Sequence, residues 1–185
     1  MKFALPLLLA AGLASPALAA GGFNAPPTVS AKAEGGSAGV IRAAMDVAAP
    51  PAVVWKVLSD CAGAPRYMPK LLSCRTLERD PAGRWDVREH RLRGNAFKPV
   101  MRNVFRTTLE PPRRLAFHRT GGDWKRSDGE WQLTAIPGGT HVTYELHVAV
   151  DAPVPAGMVR GAVAKGMPAS MLALRKEALA QARAS

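Results

Sequence analysis

Residues 140–150 read THVTYELHVAV, and this stretch decides the fold class. Every second side chain is apolar, at Val142, Tyr144, Leu146 and Val148. Successive side chains of a strand point to opposite faces of its sheet, so the alternation predicts a strand with one face against a core. The intervening His, Thr and Glu residues indicate that the other face meets solvent.

Further strand patterns precede this one. They cover Ser73–Arg79, Arg84–Leu92, Val100–Glu110, Arg114–Arg119 and Arg126–Ile136, with the last strand at His141–Val150 and a first one at Gly39–Val47. The breaks between neighbouring strands are short and rich in Pro, Gly and Asp, as in residues 80–83 and 121–123. Turns of this kind join adjacent antiparallel strands, so the sheet is predicted to be antiparallel.

The two faces of this sheet are predicted to differ. Along Val100–Glu110, Met101 and Phe105 share one parity, while Arg102 and Arg106 share the other. The first set predicts an apolar concave face and the second a polar, basic outer face.

Three helices are expected around the sheet. Pro50 and Pro51 open a helix over Ala52–Ser59, and a turn at Cys61–Tyr67 leads into a second short helix. The longest helical pattern runs over residues 156–182 and contains Pro168. The sequence therefore predicts an α+β domain made of a strand, two short helices, six strands and a long C-terminal helix.

The first half of that long helix is rich in small residues and methionine, including Met158, Met167 and Met171. Methionine fills irregular space and adapts to changing partners, which suits one wall of a cavity. The alternative is an ordinary amphipathic helix packed on the sheet.

Four segments carry a resemblance to a known family. They are PAVVWKVLSD at residues 51–60, YMP at 67–69, GEWQL at 129–133 and GGTHVTY at 138–144. In this order and spacing the chain resembles the START-like superfamily, the helix-grip fold of polyketide cyclase/dehydrases, lipid-transfer domains and coenzyme-Q-binding proteins. The resemblance covers about Gly39–Ala182. It implies a curved antiparallel sheet wrapped around the long C-terminal helix, with a hydrophobic cavity between them.

The ligand-binding residues are predicted from strand parity and helix position. We expect one cavity to be lined by Phe105, Trp131, Tyr144, Met158, Met167 and Met171. Met158 is the least secure, because it lies nine positions before Met167 and falls on the opposite side of an ideal helix.

The densest polar cluster is WDVREH at residues 85–90. If Trp85 and Val87 point inward, parity carries Glu89 and Arg91 inward as well. A buried Glu89–Arg91 pair would anchor a polar ligand head or position a substrate. A solvated strand is the alternative interpretation.

The N-terminus predicts export. Lys2 precedes an apolar run at residues 3–13, and Ala17-Leu18-Ala19 provides small residues for cleavage after Ala19. We therefore assign residues 1–19 to a signal peptide, 20–38 to a flexible leader rich in Ala, Gly, Pro and Ser, and 39–182 to the START-like ligand-binding domain. The expected location is the periplasm or the extracellular medium.

The two cysteines, Cys61 and Cys74, are expected to form a disulfide, because an even number of cysteines in an oxidising compartment favours pairing. The four histidines lack the spacing of a metal site, so no metal or other cofactor is expected.

The chain carries a formal charge of +11, and residues 88–126 contribute +8 of it. A field of this sign favours anionic partners, and we expect peripheral contact of this segment with an anionic membrane surface. The alternative is a solvated basic surface that aids solubility. Export and the absence of a nucleic-acid-binding motif argue against nucleic acid.

The favoured function is an exported, non-catalytic carrier or sensor that holds a lipid-like or other apolar small molecule. The first alternative is a cyclase or dehydratase acting on an aromatic or polyketide-like substrate, with Glu89, Arg91 or Tyr144 as acid–base groups. The second is a basic envelope protein with no ligand inside. A cavity lined by convergent polar groups would favour the enzyme, and a filled cavity would favour the envelope protein.

Overall fold

The computed structural model describes residues 22–94, 96, 98–150 and 156–184. The strands are β1 (Thr28–Gly35), β2 (Ala38–Val47), β3 (Leu71–Arg79), β4 (Trp85–Arg93), β5 (Val100–Glu110), β6 (Arg114–Gly122), β7 (Trp124–Ile136) and β8 (Gly139–Val150). The helices are α1 (Pro51–Ser59) and α2 (Ala156–Ala184), with a single 3-10 turn at Ala64–Arg66.

All eight strands form one antiparallel sheet in the order β1-β2-β8-β7-β6-β5-β4-β3. Strands β2 and β3 are consecutive in this part of the chain but lie far apart in the sheet, and the segment between them contains α1. Helix α2 packs against β1, β2 and α1. This is the predicted helix-grip arrangement, and the predicted fold class is confirmed.

Strand β1 was not expected. Residues 28–35 fall within the predicted leader at 20–38, and the structure instead pairs them with β2, for example Val29 with Ala43. Val29, Ala31 and Ala33 alternate with polar residues in TVSAKAEG, but this short pattern lies in a stretch rich in Ala, Gly, Pro and Ser, which predicts a leader. As an edge strand, β1 has only one half-buried position. The predicted signal peptide at 1–19 lies outside the described residues and stays a prediction.

The N-terminal tail is also anchored just before β1. A side-chain carbon on Gly139 would lie 2.6 Å from Phe23, so the aromatic ring of Phe23 sits close over the β7–β8 turn. The carbonyl of Ala25 accepts a hydrogen bond of 2.8 Å from the guanidinium of Arg175 on α2.

The second predicted short helix is reduced to the 3-10 turn. Gly63 and Pro65 limit helical propagation over Cys61–Tyr67, and the carboxylate of Asp60 accepts the Gly63 amide at 3.0 Å.

The core lies beneath one half of the sheet. Ile41 and Val47 of β2, Val54 of α1, Val142 of β8 and Leu174 of α2 are fully buried there. The C-terminal half of α2 supplies the helical side of this core. Among the described residues, no helix is both long and apolar enough to cross a bilayer.

A disulfide joins Cys61 and Cys74, as predicted. It links the segment after α1 to β3, the edge strand whose ladder partner is β4. Both cysteines are buried in the main core. The bond therefore fixes the helical connection to the far edge of the sheet.

Replacing both cysteines by alanine, in Cys61→Ala/Cys74→Ala, should lower the free energy of unfolding by about 3 kcal/mol, because the bond closes a short loop in the unfolded chain. Urea denaturation of the two proteins measures the difference. A reducing agent should shift the wild-type midpoint and leave that of the double variant unchanged. Equal midpoints for the oxidised wild type and the double variant would contradict this role of the disulfide.

Candidate functional site

A cavity of about 600 Å³ lies between the concave face of the sheet and the N-terminal half of α2. Its walls are mostly apolar. Side chains on several strands and on the segment before β3 contribute to them: Leu58, Met68, Leu71, Leu92, Met101, Phe105, Leu115, Phe117, Trp131, Tyr144, Leu146 and Val148.

Aromatic rings form one wall. Phe105, Trp131 and Tyr144 line the cavity, as strand parity predicts. The Trp131 and Tyr144 rings lie 4.2 Å apart between centroids, and Phe117 connects this pair to Phe105 through contacts of 6.2 and 5.8 Å. Phe117 is a lining residue that the sequence predictions did not include, although it shares parity with Leu115 on β6 and the same alternation rule identifies it.

Helix α2 forms the opposite wall with few large side chains. Gly166, Met167, Ala169 and Ser170 line the cavity. A side-chain carbon placed on Gly166 would meet no atom within 4 Å, so the space beside this glycine is open.

The other two methionines differ from the prediction. Met171 is fully buried in the main core and does not line the cavity, because the helix has by then reached the part packed on the sheet. The side chain of Met158 lies outside the described residues.

The predicted parity of β4 is wrong. Arg88, His90 and Leu92 line the cavity, whereas Glu89 and Arg91 lie on the outer face. Glu89 pairs there with Arg102 of β5. The inward placement of Glu89 and Arg91 is conditional on Trp85 and Val87 pointing inward. This condition fails, because the Trp85 ring lies on the outer face, 3.9 Å from the guanidinium of Arg106.

A buried ion pair explains this orientation. The Arg88 guanidinium donates to both carboxylate oxygens of Asp86, at 2.8 and 3.0 Å. It also donates to the carbonyls of Leu58 and Ser59 at the end of α1, at 3.4 and 3.0 Å. Thr107 of β5 donates to the same carboxylate. The charges of Arg88 and Asp86 thus offset each other, and the last carbonyls of α1 accept hydrogen bonds.

Three titratable side chains in the cavity, His90, Tyr67 and Tyr144, are held uncharged. Burial, with a smaller contribution from Arg88, lowers the pKa of His90 from 6.5 to about 3. Burial raises the pKa of Tyr67 to about 12 and also raises the pKa of Tyr144, with a further contribution from Tyr67. At neutral pH, His90 is therefore a neutral imidazole and both tyrosines keep their protons.

The opening of the cavity carries positive charge. Lys70 and Arg93 are exposed and belong to the lining, together with the exposed residues Pro69 and Ala169. These four mark where the cavity reaches the surface.

Arg102 and Arg106, on the outer face of the basic segment at residues 88–126, already have partners. Arg102 pairs with Glu89, and Arg106 packs over Trp85. Arg114 on the same half of the sheet pairs with Glu110 and Glu130 at 2.8 and 2.7 Å. These contacts weaken the field that the sequence predicts for this segment.

The low pKa of His90 gives a testable pH dependence. Below pH 6.5 the unfolded chain binds a proton at this residue and the folded chain does not, so stability falls as the pH decreases toward 3. Between about pH 7.5 and 5 the wild type should lose about 2 kcal/mol more folding free energy than the variant His90→Gln. Chemical denaturation at a series of pH values measures this.

The matched control is His118→Gln, whose side chain is exposed on β6. It should retain the pH slope of the wild type. Parallel pH profiles for the wild type and His90→Gln would contradict a buried, neutral His90.

Three solved structures illustrate the likeness of the fold. A STAR-related lipid transfer protein from Xanthomonas axonopodis is 20% identical, with 82% of this chain and 92% of that one covered and a TM-score of 0.67. The Zhui aromatase/cyclase from Streptomyces is 20% identical, with 76% and 93% covered and a TM-score of 0.65. A protein from Thermus thermophilus is 23% identical, with 77% and 98% covered and a TM-score of 0.65.

At these identities the likeness concerns the fold. No curated protein sequence matches the chain significantly. The family model described as polyketide cyclase / dehydrase and lipid transport matches residues 47–174, which include α1, strands β3–β8 and the cavity-lining part of α2. The chain therefore belongs to the polyketide cyclase/dehydrase and lipid transport family and has the helix-grip fold.

Proposed function

We propose that this protein is an exported, non-catalytic binding protein that holds a lipid-like or other apolar small molecule between the sheet and α2. The observation that carries the proposal is the cavity of about 600 Å³ with an aromatic and aliphatic lining. Its volume lies within the ordinary range for small-molecule sites, about 300–1,000 Å³.

The composition of the two walls supports a bound molecule. Phe105, Trp131 and Tyr144 offer large flat surfaces, while Gly166 leaves space for an occupant instead of filling it. Burying apolar surface yields about 25 cal/mol per Å², so a ligand that covers these rings gains affinity without any charged contact.

The polar groups in the cavity are poor acid–base catalysts. Efficient general acids and bases have pKa values near the working pH, whereas the pKa values of His90 and Tyr67 are shifted away from it in opposite directions. The Arg88 guanidinium already donates to a carboxylate and to two carbonyls. These side chains are better suited to shaping the cavity and to forming uncharged hydrogen bonds with a ligand than to transferring protons.

The cyclase or dehydratase alternative loses two of its three candidate residues. Glu89 and Arg91 lie on the outer face, so neither reaches a substrate in the cavity. Tyr144 does line the cavity, and its raised pKa makes it a weak acid. A carrier accounts for these placements more simply.

Export is supported by the disulfide as well as by the predicted signal peptide. Structural disulfides persist in oxidising compartments and are rare in the cytosol. The Cys61–Cys74 bond is therefore consistent with a periplasmic or secreted carrier.

Contact with an anionic membrane surface remains part of the proposal, but we place it at the opening of the cavity and not on the outer face of the sheet. Lys70 and Arg93 at the opening of the cavity are better placed than Arg102 and Arg106 to meet anionic head groups. Docking at the opening would let an apolar ligand pass between membrane and cavity with little exposure to water.

Filling the cavity tests the carrier function. In Gly166→Leu, the new side chain should occupy the open space and weaken binding of the neutral fluorescent probe N-phenyl-1-naphthylamine by about tenfold or more. Stability should not fall, because leucine favours a helix over glycine by about 1 kcal/mol. Fluorescence titration and thermal melts measure the two effects.

The matched control is Gly161→Leu, five residues earlier on α2. Gly161 is exposed, and a side-chain carbon there also meets no atom within 4 Å. This variant should bind the probe as the wild type does. Equal probe binding by all three proteins, or no binding by the wild type, would refute the proposed function.

A further inference from the structure

One face of helix α2 points to solvent between Lys165 and Arg183. The exposed side chains recur every three or four residues, and they are Lys165, Ala169, Leu172, Lys176, Ala180 and Arg183. At about 100° and about 1.5 Å per residue, they fall within an arc of about 80° and form a stripe about 27 Å long. We call this surface the α2 stripe.

The α2 stripe is basic and contains no acidic residue. Glu177 is the one acidic residue of α2, and it lies off the stripe, where it pairs with Arg66 at 2.8 Å. Lys165, Lys176 and Arg183 form no ion pair within the described part of the chain. The positive charge of the stripe is therefore not offset by a paired carboxylate, which favours an anionic partner.

An exposed leucine lies near the middle of the stripe. Leu172 is 46% exposed and shares the face of α2 that carries Lys165 and Lys176. At a membrane surface, an apolar side chain in this position enters the boundary of the acyl chains while the flanking ammonium groups stay among the lipid phosphates. An acidic polypeptide would pair with the lysines but offers no comparable apolar phase for Leu172. The combination of charge and exposed leucine thus favours an anionic membrane.

Ala169 connects the stripe to the cavity. It is exposed on the stripe, and it also lines the opening of the cavity beside Pro69, Lys70 and Arg93. A membrane that covers the stripe therefore also lies next to the opening.

We propose that the α2 stripe docks on an anionic membrane surface, with Leu172 inserted at the level of the head groups and Lys165 and Lys176 against lipid phosphates. In this position α2 lies along the membrane, and the opening of the cavity is next to the lipid. The role of this contact in ligand transfer rests on the proposed carrier function, because it names the surface through which the carrier reaches the membrane.

Co-sedimentation with vesicles tests the inference. Vesicles made of equal parts of phosphatidylcholine and phosphatidylglycerol should bind the wild type, whereas vesicles of phosphatidylcholine alone should bind it much more weakly. Lys165→Gln/Lys176→Gln should weaken binding to the anionic vesicles by about tenfold or more, because each lysine adds to the attraction to anionic lipid. Leu172→Ser should weaken the same binding by about fivefold, because serine buries far less apolar surface.

Each variant has a matched control. Arg79→Gln/Arg113→Gln removes two exposed cations outside the stripe, and Leu77→Ser removes a leucine on β3 that is 47% exposed. Both controls should bind the anionic vesicles as the wild type does. All these proteins keep the same N-terminus, so its contribution to vesicle binding cancels in the comparison.

A second measurement isolates the cavity. None of the substituted residues lines it, so every variant should bind N-phenyl-1-naphthylamine with the affinity of the wild type. Thermal melts verify that each variant is folded.

The outcomes separate the inference from the carrier function. Equal binding of anionic vesicles by the wild type, the stripe variants and the controls overturns the inference, while binding of N-phenyl-1-naphthylamine leaves the carrier function intact. A loss of vesicle binding confined to Lys70→Gln/Arg93→Gln also overturns it, because the contact is then at the opening alone.

Two further results are decisive. Retention of the wild type on a polyglutamate resin, without binding to anionic vesicles, assigns the stripe to an acidic protein and overturns the inference. Failure of the wild type to bind N-phenyl-1-naphthylamine overturns the carrier function, whereas the vesicle comparison still decides whether the stripe docks on a membrane.

Discussion

The buried guanidinium of Arg88 is the contact on which the rest of the site depends. It joins β4, through Asp86, to the last carbonyls of α1. Removing either charge would leave the other buried and unpaired, which costs about 3–5 kcal/mol. Because side chains alternate along a strand, an inward Arg88 also requires an inward His90 and an outward Glu89. One ion pair thus fixes the orientation of the strand that forms a large part of the cavity wall.

The cavity forms because the two halves of α2 have different neighbours. Its C-terminal half buries Met171 and Leu174 in the core, whereas its N-terminal half presents Gly166 and Ala169 to the concave face. At the far edge of the sheet, the Cys61–Cys74 bond and the hydrogen bonds of Arg88 join β3 and β4 to α1 and the segment after it. The turns of α2 that pack in the core thus differ from those that line the cavity, so the space stays open without loss of the core.

Alternation predicted much of this architecture, and its failures have physical causes. It identified the strands that pack on a core and placed Phe105, Trp131 and Tyr144 on the concave face. It did not identify β1, because the alternating apolar residues there are mostly alanines within a stretch whose composition predicts a leader, and the edge strand buries little. On β4 it assigned the wrong face, since hydrophobicity alone cannot anticipate a charge buried with its partner. On α2, residue type and helix position predicted both Met167 and Met171 on the cavity wall, but they could not distinguish a cavity wall from a core, and Met171 lies in the core.

The proposed carrier function requires that the space between the sheet and α2 holds an apolar molecule in the cell. Native mass spectrometry of the protein, purified without detergent from the producing organism, tests it most directly. If the protein is a carrier, the spectrum should contain a species heavier than the bare chain by the mass of one small molecule, which solvent extraction recovers as an apolar compound. Protein found solely at the mass of the bare chain, with nothing recovered by extraction, would contradict it.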